Sequence, residues 1–357
     1  MERHPSHHAR PACSPNPFSI PSRDAGLRPA SSRTPVLPLL VALLLVGSPA
    51  SSEPWPLPGS EVVRVHSPTL RRTYRAVVIL PPRFDPARRY PALFFTDLPR
   101  SAALVAGLYR TLRSGGRGLQ DAILVGLDHA EGETAQYSRR RDYTPSPHGD
   151  IDATSDMPGR PVVYGEAEAY RRHLETELLP ELERRYPIDA ERRIFLGHSY
   201  GGLFGAHVLL TAPRMFAQYV LISPSLWFDR RLMLARERGR ATLERDLPAR
   251  VLLMVGSLET VENADTEPFA AAIHDMVGDT LAFAQGLRAR GYPSLHLDVR
   301  VLDGEDHDSA FAAGVRLGLE WALPGTGRVA RRPCPPAERF CRWPRWRAAP
   351  DAARPSD

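Results

Sequence analysis

Arg193-Ile194-Phe195-Leu196-Gly197-His198-Ser199-Tyr200-Gly201-Gly202-Leu203-Phe204 is the stretch on which the fold turns. A short apolar run ends at a glycine, and a second apolar run carries on to Leu210. This pattern predicts a buried strand, a tight turn and a helix. Glycines two residues to either side of Ser199 let the backbone make that turn without a Cβ clash, so the serine hydroxyl stands clear of the scaffold. A hydroxyl held this way can attack a carbonyl carbon, and the amino end of the following helix faces the negative charge that develops. The alternative reading is a structural glycine turn with no chemistry.

Outward from that turn, short β runs alternate with longer helical ones. The strands are expected at Val62 to His66, Arg72 to Leu80, Tyr90 to Thr96, Ala122 to Leu127, Arg193 to Leu196, Gln218 to Ile222, Val251 to Val255 and Leu295 to Leu302. Such alternation predicts an α/β fold, a mostly parallel central sheet with helices packed over it, in a single domain. One helical stripe is explicit: Tyr170, Leu174, Leu178, Leu182 and Tyr186 recur every four residues, with Pro180 expected to kink the helix. Further helices are expected over 268–290 and 309–323.

A serine nucleophile needs a base, and on a fold of this kind the partners follow in the order serine, acid, histidine. His307 sits in the polar turn Asp303-Gly304-Glu305-Asp306-His307 just after the last strand, and is the expected general base. The rivals fit less well. His296 alternates with apolar strand residues, His173, His207 and His274 lie within helices, and His198 points away from Ser199; His129 and His148 precede the serine in loops, where they could serve binding. The acid should follow the strand ending at Val255, where Glu259, Glu262 and Asp265 are available; Glu259 is the choice, to orient the imidazole and offset its charge. Two backbone amides should bind the oxyanion: that of Tyr200, and one from the loop after Thr96, at Leu98 or Asp97.

Composition narrows the chemistry further. The chain has 357 residues and no lysine, so its 46 basic residues are all arginine. P-loop phosphate binding, Schiff-base and protein-kinase chemistry all need a lysine amine and are excluded. The net charge of +5 belongs to the ends: residues 1–35 carry +3 and 325–357 carry +5, which leaves the body about −3. The body therefore has no electrostatic footprint for nucleic acid. The three cysteines are Cys13, Cys334 and Cys341, so no cysteine nucleophile or thiolate metal site lies within the body. No metal or organic cofactor is expected.

The ends read differently from the body. Val36 to Val46 is an apolar run broken only by Pro38, followed by Ser48-Pro49-Ala50. It reads as a signal peptide over residues 1–50, cut after Ala50, or as an uncleaved N-terminal membrane anchor, and it is too short to span a bilayer comfortably. Residues 51–60 would be a linker and 61–324 the catalytic domain. Residues 325–357 are rich in Pro and Arg and predict a disordered basic tail, where Cys334 and Cys341 either pair or stay as free thiols.

The elbow segment, together with Pro213-Arg214-Met215-Phe216 and Ile222-Ser223-Pro224-Ser225-Leu226-Trp227, resembles the putative-esterase family of α/β-hydrolases, which includes esterase D and the enterochelin-esterase-like periplasmic siderophore hydrolases. Arg139-Arg140-Arg141-Asp142-Tyr143-Thr144-Pro145 and Gly304-Glu305-Asp306-His307 resemble the siderophore-hydrolase branch. The likeness covers about residues 61 to 323. It implies an α/β-hydrolase fold, Ser199 and His307 as the catalytic pair, and a substrate pocket lined by Trp227 with an arginine of the 139–141 group, Arg139, and Tyr143. The chain departs from the family at Thr96-Asp97-Leu98-Pro99, where an Asp-Gly pair is usual.

The expected activity is hydrolysis of a small-molecule carboxylic ester through an acyl-enzyme, in the periplasm or outside the cell, with a siderophore or another envelope ester as substrate. The alternatives are an acyltransferase working through the same acyl-enzyme and a silent hydrolase fold that binds a ligand. Oligomeric state is not legible.

Overall fold

A computed structural model describes residues 57–115, 118–150, 153–240, 245–263 and 274–325. The expected signal segment, the three cysteines, Asp265 and the basic tail lie outside the described residues. The strands are β1 (Ser60–Ser67), β2 (Arg72–Ile79), β3 (Tyr90–Phe95), β4 (Ile123–Ala130), β5 (Ile188–His198), β6 (Gln218–Ile222), β7 (Ala249–Gly256) and β8 (Leu295–Leu302). They form one eight-stranded sheet in the order β1-β2-β4-β3-β5-β6-β7-β8. β1, β2 and β4 pair antiparallel, and every pairing from β4 through β8 is parallel.

The central strands read as unbroken apolar runs because both of their faces are covered. Phe195 of β5, Tyr219 and Leu221 of β6 and Leu253 of β7 point to one face, under the helices α3 (Ala167–His173), α4 (Leu179–Arg185), α5 (Tyr200–Thr211), α6 (Phe228–Arg240) and α7 (Met276–Ala289). Ile194, Leu196, Val220, Ile222 and Met254 point to the other, under α1 (Leu98–Ser114) and α8 (Ser309–Ala322). Each such side chain contributes roughly 1.5–3 kcal/mol by leaving water. β8 is an edge strand, and there the alternation returns, with His296 exposed.

Three departures from the sequence reading have local causes. β5 begins at Ile188, five residues before the expected start at Arg193. The helix carrying the Tyr170 stripe is broken before Pro180 rather than at it: Leu174–Leu178 form a π turn between α3 and α4, and Pro180 sits in the first turn of α4. A proline ring crowds the carbonyl four residues back, and a widened turn relieves that contact. The last long helix before β8 starts at Met276, where the Asp275 carboxylate accepts from the Gly278 amide at 2.7 Å.

The chain from β3 crosses by α1 to β4 on one face, while the chain from β5 crosses by α5 to β6 on the other. The connections diverge between β3 and β5, which opens a crevice at the carboxyl ends of these strands.

Candidate active site

Ser199 joins β5 to α5 with φ 57° and ψ −120°, a conformation that an L-residue holds only where its surroundings enforce it. The surroundings are tight. A Cβ on Gly197 would fall 2.3 Å from the Gly201 carbonyl oxygen, and one on Gly201 would fall 2.1 Å from Thr96 Oγ1. The glycines are therefore required by close approach: the elbow packs on its own next turn and on the end of β3. Asp97 (φ 57°) and Ser223 (φ 41°) are also held at positive φ, just past β3 and β6. All three follow the carboxyl ends of the neighbouring strands β3, β5 and β6.

The acid and the imidazole form one unit. His307 Nδ1 lies 2.7 Å from Glu259 Oε2, with His307 5% and Glu259 0% exposed. Glu259 Oε1 accepts from the Ser223 hydroxyl at 2.5 Å and from the Gly256 amide at 2.7 Å. A buried carboxylate is costly without such donors, and this one has three. The two loops that carry the pair are laced together: Leu258 N–H donates to Glu305 O at 3.1 Å, and Gly304 N–H to Ser257 Oγ at 2.9 Å. Glu262, the rival acid, is exposed on a 3₁₀ turn.

Ser199 and His307 line one cleft of about 370 Å³, together with Ser225, Tyr200, Trp227 and Arg139. Ser199 Oγ lies 3.4 Å from Ser225 Oγ. The amides of Leu98 and Tyr200 fall in the first turns of α1 and α5, where a helix has no acceptor of its own to offer. The Leu98 side chain is buried in the core beside Gly126, which anchors that turn.

The arginine triplet divides. Arg139 Nε donates to Asp97 Oδ1 at 2.8 Å, and its guanidinium lies 5.0 Å from the Tyr200 ring centre. Arg140 also lines the cleft and donates to the Thr154 carbonyl. Arg141 instead turns inward, 1% exposed, to Glu133 and Asp142. Trp227 borders the cleft, with the His274 ring stacked on it at 4.0 Å and 6°. Burial, with Arg231 nearby, lowers the His274 pKa. Tyr143 is placed elsewhere. It is 5% exposed and stacked on Phe204 at 5.6 Å in the core, because the chain turns inward at the end of α2 (Ala135–Asp142), and it does not line the cleft.

Several neighbours of the site carried no sequence signal of their own. His198 Nε2 lies 2.9 Å from the carbonyl oxygen of His307, and burial together with the nearby His307 ring pushes its pKa well below the usual imidazole range. A carbonyl oxygen can only accept, so Nε2 carries the hydrogen and donates to it. Ser223 and Ser225 follow the end of β6, in the segment that carries the family resemblance, and no role was read for them there. Asp97 was legible as an oxyanion-loop residue but not as the partner of Arg139.

Elbow, buried acid–histidine pair and parallel sheet together define an α/β-hydrolase of the serine type. A model of the putative esterase family matches residues 67–277. The chain belongs to that family and is a carboxylic ester hydrolase. It is 29% identical over 285 residues to the ferri-bacillibactin esterase BesA of Bacillus subtilis, covering 76% of this chain and 92% of that protein. It is 28% identical over 250 residues to the apo-salmochelin esterase of Escherichia coli, covering 70% of this chain and 74% of that one. Among solved structures, the BES protein from Bacillus cereus superposes with a TM-score of 0.62 at 24% identity, over 76% of this chain and 99% of that chain.

Proposed function

We propose that the chain hydrolyses siderophore esters, with Ser199 as nucleophile, His307 as general base and Glu259 as the group that orients it. The observation that carries this reading is the 2.7 Å contact of His307 with a fully buried Glu259, on a cleft that Ser199 also lines. Ser199 Oγ attacks the ester carbonyl while His307 takes its proton; Glu259 fixes the imidazole tautomer and offsets the imidazolium charge. The amides of Leu98 and Tyr200 receive the oxyanion. The carbon–oxygen bond to the alcohol breaks, His307 returns the proton to the leaving oxygen, and water then releases the acyl group by the same steps.

The siderophore assignment is supported by the names of the relatives and by the cleft wall of Trp227, Tyr200, Arg139 and Arg140, an aromatic and cationic lining that suits a flat anionic acyl group. The catalytic domain in this reading is 61–324. Export to the periplasm or beyond rests on the apolar run Val36 to Val46, outside the described residues. No helix among the described residues is long and apolar enough to cross a membrane.

The test is turnover of ferric siderophores, feruloyl esters and p-nitrophenyl esters by the wild type against Ser199→Ala. The substitution is expected to lower kcat by about four orders of magnitude or more without shifting the melting temperature. Equal turnover by both proteins removes Ser199 from the reaction. Ester turnover that excludes siderophores removes only the substrate assignment.

A further inference from the structure

A tetrahedral intermediate on Ser199 carries two bulky groups, the acyl chain and the leaving alkoxide, which diverge from one carbon. Both need room beside Ser199. The molecule has a second cavity of about 460 Å³ beside the first, and Gln136 and Arg139 belong to the walls of both. This second lobe lies over the opposite face of the sheet, between the start of α1 and the start of α8, with Arg100, Ser101, His198 and Phe311 in its lining. It adjoins the proposed base, since the His198 ring is 4.6 Å from that of His307 and 5.0 Å from that of Phe311. His307 lines the first cleft and is parted from the second lobe by the His198 ring, so an alcohol that leaves Ser199 past Gln136 and Arg139, the wall common to both, enters the second lobe.

Its charge is specific. Arg139 is matched by Asp97 at 2.8 Å, both only 17% exposed, and His198 is neutral. Arg100 lies over the Phe311 ring at 5.4 Å and pairs with Asp308 at 2.5 Å, a partner that is itself 76% exposed. A solvent-screened pair of this kind exchanges readily for an anion presented from inside the cavity. Ester chemistry supplies such an anion: when an oligomer of hydroxy acids is cut, the alcohol half of its open-chain form bears a free carboxylate.

We infer that the second lobe is a leaving-group subsite for a hydroxy-acid alcohol, and that Arg100 binds its carboxylate. The assignment rests on the esterase reading above and goes beyond it by naming the alcohol half. It predicts that open-chain esters with a terminal carboxylate are better substrates than their capped forms.

The experiment uses three esters of one aromatic acid: with 3-hydroxypropanoate, with the methyl ester of 3-hydroxypropanoate, and with p-nitrophenol. The full-length wild type is expected to favour the free carboxylate over the methyl-capped ester. Arg100→Gln should lower kcat/KM on the free carboxylate by about 10-fold or more, mainly through KM, as expected for loss of a charge-assisted hydrogen bond. The same variant should leave the other two esters within about twofold, and Arg100→Lys should recover part of the loss. Wild-type turnover of all three esters with no preference for the carboxylate, or an equal loss on all three in Arg100→Gln, overturns the subsite and leaves the esterase reading standing. Failure of the wild type to cleave any of them overturns the esterase reading itself.

Discussion

The residue just before the elbow serine holds the backbone of the histidine 109 positions later: the His198 imidazole donates from Nε2 to the His307 carbonyl oxygen across 2.9 Å, in a buried setting. The proposed nucleophile and base are thus tied through one side chain as well as through the sheet. Burial, with the His307 ring beside it, holds the His198 pKa well below the usual imidazole range.

His198→Ala should remove that tie and lower kcat by about 10- to 100-fold with KM little changed, the pattern of a positioning residue. His198→Gln, which offers an amide donor at similar reach, should recover much of the loss. Steady-state kinetics of the two variants on one p-nitrophenyl ester decide it. Equal loss in both would mean that the ring packs and does not hold the carbonyl.

Glu259→Gln places an amide where the Ser223 hydroxyl and the Gly256 amide already donate. Its NH₂ then faces donors, or its single oxygen must choose between them and His307. The expected cost is about 10³- to 10⁴-fold in kcat together with a lower melting temperature. Glu262→Gln, on the exposed turn, should change neither quantity measurably.

Gly256 is fixed by space. A Cβ there would lie 2.3 Å from the Glu305 carbonyl oxygen and 3.0 Å from that of Asp306, in the turn that presents His307. Gly256→Ala is expected to displace that turn, costing activity well before it costs the fold. Kinetics beside a thermal melt would show it, and a variant of full activity would contradict the packing.

Acid sensitivity has a separate source. Burial alone would raise the Glu133 pKa, but hydrogen bonds from Arg141, Ser138 and Arg160 hold it down at about 2. A folded-state pKa below the unfolded value gives stability that is present above the ordinary glutamate range and is lost as pH falls toward about 2. Glu133→Gln should therefore be less stable than wild type at pH 6, and its melting temperature should fall less between pH 6 and pH 3. Parallel falls in the two proteins would show that Glu133 does not contribute.

The resemblance of Arg139, Arg140 and Arg141 in sequence marks where reading along the chain stops. The triplet sits on one short helix, and a helix turns by about 100° per residue, so neighbouring side chains must diverge. Arg139 and Arg140 reach the cleft, while Arg141 enters a buried network with Glu133 and Asp142. Tyr143, just past the end of that helix, packs on Phe204 instead. The interrupted helix before Pro180 was visible as a disturbance, but not as a π turn placed upstream of the proline.

The sequence by itself determined the sheet, the strained turn at Ser199 and the order of serine, acid and histidine, because burial on both faces and glycine at a turn leave local marks in residue type. Only the tertiary structure decided which carboxylate meets His307, that His198 grips its carbonyl and that a second cavity opens past Arg139. Those relations join residues from different strand ends, and their partners are set by how the crossovers pack, a distance that no local pattern encodes.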